Sequence, residues 1–312
     1  MENLLLSFNT VMPMFLVMLV GYALRASGVV NGTTVSQMNK MLMRSLVPVM
    51  MFQNIYGSKR GELASPGLIA FCVLGVLGMY ALSFAIGMLT EREGARRGVV
   101  IQALYRGNMM AMAVPLAESL LGEGNQGPLA VCLAIVIPMF NVLAVITLEL
   151  FHHGKPDVKV IVKDIATNGL ILGCVTGIVF YALNIPLPLF VRKAVSNMAG
   201  AASPMILMVL GASFQFSSVR ANLRSLAVCV VGRLVLMPAI LVSLGVALGF
   251  RGVELVCILS VSACPVAAMS YTMAEQMGGD KDLAAGGIVF TSLFSCVTLF
   301  LWVFLLKQLG LF

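Results

Sequence analysis

Long apolar runs constrain this chain more than any other feature. Ten of them, at residues 4–26, 35–55, 66–89, 97–121, 128–151, 161–183, 189–212, 223–248, 253–277 and 283–306, are each about 20 residues or longer. That is the length of α-helix needed to cross a hydrocarbon core about 30 Å thick. Lipid offers the backbone no hydrogen bonds, so a chain inside it must close its own. Composition agrees: 60% of the 312 residues are hydrophobic, 11% are charged, and the mean hydropathy is +1.00. A soluble domain carries about 25% charged residues. The chain reads as an all-α integral membrane protein with no soluble domain. Its net charge of +7 then bears on membrane topology, and nucleic acid is not an expected partner.

Other classes lose ground on the same grounds. The seven cysteines all fall inside apolar runs, without a Cys-x-x-Cys pair or a Cys/His cluster, and read as small core residues. The two histidines, His152 and His153, sit beside a loop Lys and Pro. No cofactor or metal is expected, and no nucleotide-binding loop or nucleophile–base pair points to an enzyme. Glu2 is the only charge ahead of the first run, so that run reads as a retained helix and not a cleaved signal peptide. The 22 methionines read as packing residues.

One run is interrupted. Residues 104–117 read Leu-Tyr-Arg-Gly-Asn-Met-Met-Ala-Met-Ala-Val-Pro-Leu-Ala, placing Arg106, Gly107, Asn108 and Pro115 where a spanning helix would be smooth. A broken helix at membrane depth is tolerated where it is buried in protein or lines a water-filled cavity. Two readings stand: a site or path bordered by this segment, or a Pro kink with Arg106 snorkelling to the interface. The break falls at Gly107, which permits unusual φ, or at Pro115.

Sliding the chain by half its length, 156 residues, places Gly21 on Gly177, Pro48 on Pro204 and Gly122 on Gly278, each pair at the same place in its half. Five helices per half is an odd number, so the halves, 1–156 and 157–312, would insert in opposite senses as an inverted repeat, a common transporter plan. The same offset places Arg106-Gly107-Asn108-Met109 on Ser262-Ala263-Cys264-Pro265. Helices 4 and 9 would both break at matching depth and cross near the mid-membrane. Half-helix N-termini there carry positive potential and free N–H groups, which suits an anion.

The pattern Arg106-Gly-Asn108-x6-Pro115-Leu116 resembles the helix-4 motif of the auxin efflux carrier family. Pro265, the stretch Ala274-Glu-Gln-Met-Gly-Gly-Asp280, Ser292 and Ser295, Pro48 and Arg233-x4-Pro238 also look like that family, and the resemblance covers essentially the whole chain. It implies ten helices in two inverted repeats, with a scaffold helix set beside a crossover domain. Bacterial members are often labelled organic-acid permeases. The resemblance also implies that Asn108, just after the break, faces a substrate carboxylate. Plant carriers have Pro where this chain has Gly107, Gln where it has Val266, and a long central loop that it lacks. Auxin is therefore not carried over as the substrate.

Orientation follows from the loop Lys and Arg. Arg25, Arg92, Arg96, Arg97, Lys155, Lys159, Lys163, Arg220, Arg224 and Lys281 fall on one side; Lys59, Arg60, Arg192, Lys193, Arg251 and Lys307 fall on the other. The richer side should be cytoplasmic, leaving both termini outside a cell (inner) membrane.

The candidate substrate-binding residues are Asn108, Arg106, Gly107, Pro115, Cys264, Pro265 and Arg233. Arg233 lies ten residues into its run and must find a partner: an anionic substrate, a carboxylate, or helix-end carbonyls. Glu118 and Glu275, near the ends of helices 4 and 9, are candidates for proton coupling or are simply solvated at the interface. Asn39, Asn54, Asn141 and Asn197 read as interhelical hydrogen-bond glue, and Gly173-x3-Gly177 and Gly245-x3-Gly249 as close-packing positions. Asn31-Gly-Thr33 matches a glycosylation sequon but falls in an inside loop. The expected activity is secondary transport of a small carboxylate by alternating access, with an anion channel or a membrane-embedded sensor as alternatives. The expected partners are that substrate, membrane lipid and a second copy in a homodimer.

Overall fold

The computed structural model describes residues 2–57, 65–121, 127–152, 169–214 and 216–311, and among these every regular element is helical. α1 spans Glu2–Ala26. α2 (Gly32–Met41) continues through a π-helical turn, Leu42–Leu46, into α3 (Val47–Tyr56). α4 is Pro66–Thr90, α5 Gly94–Tyr105, α6 Met109–Leu121 and α7 Gly127–His152. α8 is Gly169–Ala182 and α9 Leu189–Ser213. α10 (Phe216–Val231) passes through a second π-helical turn, Gly232–Leu236, into α11 (Met237–Ala247). α12 is Gly252–Ala263, α13 Met269–Gln276 and α14 Lys281–Gln308.

Apart from breaks at residues 106–108 and 264–268, the apolar runs are helical over nearly all their described residues, because in lipid the helix satisfies the backbone from within. Five stretches, Pro66–Thr90, Val131–His152, Leu189–Ser213, Val219–Ala247 and Lys281–Gln308, are long and apolar enough to cross a membrane unaided. The protein is an all-helical, multi-pass membrane protein.

Helix starts follow side-chain caps that accept an otherwise orphaned N–H. Asn31 Oδ1 accepts from Thr34 N–H at 2.8 Å, Ser65 Oγ from Leu68 N–H at 3.1 Å, and Asp280 Oδ1 from Leu283 N–H at 3.0 Å. The sequon Asn31 is thus a helix cap. The largest departure from the expected boundaries is α10, which begins at Phe216 and not at 223. Its first turns bury two polar residues, Asn222 and Ser225, while Arg220 and Arg224 stay exposed. Arg96 donates to Asn222 Oδ1 at 2.7 Å and Ser225 Oγ at 2.9 Å, and pairs with Glu91 at 3.1 Å and Asp280 at 3.3 Å. Lys59, Arg60, Gly122 and the basic loop after His152, including Lys155, Lys159 and Lys163, lie outside the described residues.

Both π turns precede a proline, Pro48 or Pro238, at the start of the next helix. Proline has no N–H for the carbonyl four residues back, and a π turn is one way to absorb the mismatch. At the second turn the lost donor is replaced: Trp302 Nε1 of α14 donates to the Leu234 carbonyl at 3.0 Å. The turn presents Gly232 to α5, where a methyl group would overlap Leu104 Cδ2, and turns the fully buried Arg233 inward.

Close-packing glycines behave unequally. Gly173 and Gly177 of α8 meet α3 backbone, with a Cβ at Gly177 falling 3.1 Å from the Phe52 carbonyl oxygen. Gly245 lets Ile258 approach, whereas Gly249 has φ of 90° and meets nothing within 4 Å. Gly249 ends a helix and does not pack one.

Candidate functional site

Two apolar runs are broken, and the breaks meet. Residues 106–108 separate α5 from α6, and residues 264–268 separate α12 from α13. The two extended stretches run antiparallel, with Gly107 opposite Val266. Asn108 N–H donates to the Pro265 carbonyl at 2.7 Å, and Ala267 N–H to the Arg106 carbonyl at 3.3 Å. Val266 N–H finds Thr291 Oγ1 of α14 at 3.1 Å. Backbone that leaves the helix inside an apolar protein must find such partners, since an orphaned buried group costs about 1–3 kcal/mol.

The crossing sorts the helix ends by sign. The C-terminal ends of α5 and α12 carry excess negative charge. Arg233 occupies that side: Nε donates to Cys264 O at 2.7 Å, Nη1 to Tyr105 O at 2.8 Å and Leu104 O at 3.3 Å, and Nη2 to Val261 O at 3.2 Å. One guanidinium therefore ties both broken helices together through four carbonyls. It lies so close to Gly107 that a methyl group there would overlap Nη2. Gly107 is not among the described positive-φ glycines. Glycine is needed here for space and not for its unusual φ.

The opposite ends, the N-termini of α6 and α13, border a cavity of about 520 Å³. Asn108 and Met109 line it from one break, Ala267, Ala268 and Met269 from the other. α3, α7 and α9 complete the wall with Gln53, Asn54, Asn141, Ser196 and Ser203 among apolar neighbours. Arg106 also lines it, although only 2% exposed. Arg106 Nη2 donates to Asn141 Oδ1 at 2.7 Å; its other neighbours are the sulfurs of Met273 at 3.0 Å and Met269 at 3.3 Å and Ser270 Oγ at 3.5 Å. No carboxylate among the described residues pairs with it. The site thus offers a buried positive charge beside two positive helix ends, in a space of small-molecule size.

Comparison with known proteins places this geometry. A family profile described as "Membrane transport protein" matches residues 6–161 and 155–303. The chain belongs to this membrane transport family. The resemblance to the auxin efflux carriers is borne out at the level of family. An uncharacterized transporter of Methanocaldococcus jannaschii is 24% identical over 309 residues, covering 96% of this chain and 98% of the relative. An uncharacterized transporter of Methanothermobacter thermautotrophicus is 23% identical over 304 residues, 95% of this chain and 97% of the relative. A protein of Rhizobium meliloti named as a candidate malonate transporter is 24% identical over 300 residues, 92% of each chain.

In this transporter the expected site residues separate into groups. Arg106, Gly107 and Asn108 line the cavity. Asn108 is half-buried, and its side-chain amide has no hydrogen-bond partner among the described residues. Pro265 belongs to the crossing through its carbonyl. Cys264 and Arg233 do not line the cavity; Cys264 is fully buried, with Sγ donating to Ser260 O at 3.0 Å. Pro115 sits within a continuous α6, so the break is at 106–108. The side chains of Pro115 and Glu118 lie outside the described residues. Glu275 is not at the cavity: it accepts from Asn39 Nδ2 and lies 3.7 Å from Lys281 Nζ. Asn39 also reaches the Thr272 carbonyl, joining α2 to α13 as interhelical glue.

Three cavity amides are not marked as site residues by the sequence: Asn141 and Asn54 read as glue, and nothing there distinguishes Gln53. The signal available for Asn141 was Pro138, three residues before it inside α7, since a proline next to a mid-helix amide marks irregular backbone.

Proposed function

We propose that the protein is a secondary transporter that moves a small organic carboxylate by alternating access, with Arg106 and Asn108 contacting the carboxylate. The observation that carries this reading is Arg106: a buried guanidinium on a cavity wall, with neutral partners only among the described residues. A charge held that way in a membrane protein is costly unless it has work to do or a counter-ion to meet. The Asn108 amide adds a donor without fixed charge, which holds an anion and still lets it leave. The name of the Rhizobium relative fits a carboxylate of malonate size.

The accompanying architecture is ten spans in two inverted five-helix repeats, 1–156 and 157–312. Reciprocal packing supports it. A methyl on Gly21 of α1 would overlap the Met208 carbonyl of α9; Gly177 of α8 packs on Phe52 of α3 in the same manner. Gly177 and Met208 are Gly21 and Phe52 each shifted by 156 residues. The loop charges orient the chain in a cell membrane with both termini outside. A second pocket of about 330 Å³, lined by Tyr56, Asn184 and Arg192, shares Gln53 with the cavity. It lies at the C-terminal ends of α3 and α8, the ends that the loop-charge reading puts outside, and so fits an outward-facing entry route.

Uptake into proteoliposomes tests the function. Radiolabelled monocarboxylates and dicarboxylates are offered with and without proton and sodium gradients. Saturable accumulation of at least one carboxylate is expected, and sugars, amines and cations should not compete. Uptake of none, at any gradient, contradicts the proposal.

A further inference from the structure

The polar groups of the cavity are unequal in number and in charge. Arg106 is the single charged residue among the described residues that line it. The rest of the polar wall is neutral: the amides of Gln53, Asn54, Asn108 and Asn141 and the hydroxyls of Ser196 and Ser203. The titratable groups beside Arg106 are Tyr105 and Cys174, whose ordinary pKa values lie above neutrality. Around Gln53 they are Tyr56, Tyr181 and Arg192 of the outer pocket, and Arg192 is solvent-exposed. A monoanion therefore meets one full side-chain charge. A dianion brings a second charge that no side chain among the described lining residues offsets, leaving it only the partial charges of the two helix ends, and a carboxyl group in such a space tends to take up a proton instead.

Gln53 is the second observation. Its Oε1 atom is buried without a hydrogen-bond partner, and the residue lines both the cavity and the outer pocket. It therefore stands where the cavity adjoins the outer pocket. An amide oxygen only accepts hydrogen bonds. A carboxylate offers it nothing, whereas a protonated carboxyl or a hydroxyl offers an O–H.

We propose that the cavity binds its substrate as a monoanion, and a dicarboxylate as the hydrogen-dicarboxylate, with one carboxylate on Arg106 and the protonated carboxyl donating to Gln53. The proposal rests on the carboxylate-transport reading and names the species carried. The atoms balance simply: the dianion takes one proton from water before binding and releases it after leaving the far side. One proton crosses with each dicarboxylate, bound to the substrate and to no protein carboxylate. The bound pair is electrically neutral, since one guanidinium meets one carboxylate.

Direct binding to the purified protein tests this, with malonate and succinate as dicarboxylates and propionate as monocarboxylate, from about pH 5.5 to about pH 8. Propionate stays a monoanion over most of this range and reports any titration of the protein itself. The expected result is a dicarboxylate affinity that falls about tenfold per pH unit above the second carboxyl pKa, while propionate affinity stays within about twofold. Gln53→Leu should weaken malonate about tenfold at the acid end and leave propionate nearly unchanged. Dicarboxylate affinity that holds level or rises as the dianion takes over overturns the monoanion proposal and leaves carboxylate transport standing. Equal weakening of malonate and propionate by Gln53→Leu overturns the role given to Gln53. Failure of all three carboxylates to bind at any pH overturns the transport reading and this proposal with it.

Discussion

Two arginines lie buried at one helix crossing, and they are used in opposite ways. Arg233 spends its donors on four backbone carbonyls at the negative ends of α5 and α12. Arg106 lies across the crossing, beside the positive ends of α6 and α13, and has one strong neutral partner, Asn141. The same side chain is a strut where acceptors surround it and, on our proposal, a binding group where they are missing. What separates the roles is acceptor supply, since both residues are almost wholly buried.

The largest effect should come from removing the strut. Arg233→Ala leaves carbonyls of two helix ends unsatisfied at once. A hydrogen bond to a charged group contributes about 1.5–3 kcal/mol, so the loss should exceed about 3 kcal/mol. Thermal unfolding of the purified protein is expected to show a large fall in Tm or no folded protein. Arg233→Lys should rescue little, because a single ammonium cannot span carbonyls on both helices as the planar fork does. A Lys variant as stable as the parent would mean that the four carbonyls have other partners and that the strut is unnecessary.

Arg106→Gln comes next and should separate stability from binding. The glutamine keeps an N–H for Asn141 while the charge is lost. Binding of a carboxylate should weaken about tenfold to more than a hundredfold, from the same 1.5–3 kcal/mol. The fold should survive, because no helix end depends on Arg106 side-chain donors. If the fold collapses with Arg233 intact, the two arginines are alike and the comparison fails.

Much of this was legible from residue order, and the remainder depends on distance in sequence. The runs were readable because lipid demands helices of a fixed length. The break at 106–108 was readable because Arg, Gly and Asn in succession do not suit a smooth span. Choosing it over Pro115 was not, because a proline removes one helical bond and α6 absorbs that without breaking. Arg233 could be marked as needing partners, yet its acceptors lie 28 to 129 residues away. Asn141 looked like glue because an amide is the same residue whether it bonds a neighbouring helix or a guanidinium at a cavity.

A smaller effect is expected at Asn108, which shares the cavity with Arg106 but carries no charge. Losing one neutral donor costs about 0.5–1.5 kcal/mol, so Asn108→Ala should weaken carboxylate binding about threefold to more than tenfold. Its backbone bond to Pro265 is unaffected by the side chain, so the crossing should hold. Asn108→Asp should be worse than Ala, because a negative charge then faces the anion beside Arg106. Binding and uptake assays on both variants check the order. Asp transporting the same anion as well as the parent would move the site away from the crossing.

The smallest effect tests the far side of the same comparison. Cys264 sits in the break, two residues from Val266, and its place in the sequence made it a candidate contact. Its side chain points elsewhere, toward the Ser260 carbonyl four residues back, and what the crossing uses is its own carbonyl, held by Arg233 at 2.7 Å. Serine keeps the backbone and can donate to the same helical carbonyl, as serine hydroxyls do. Cys264→Ser should therefore leave affinity within about twofold and stability within about 1 kcal/mol, the scale of one neutral hydrogen bond. Titration calorimetry with the transported carboxylate and thermal unfolding give both numbers. A loss of affinity at unchanged stability would put the Cys264 side chain at the substrate, and the division of the crossing into a strut side and a binding side would fall.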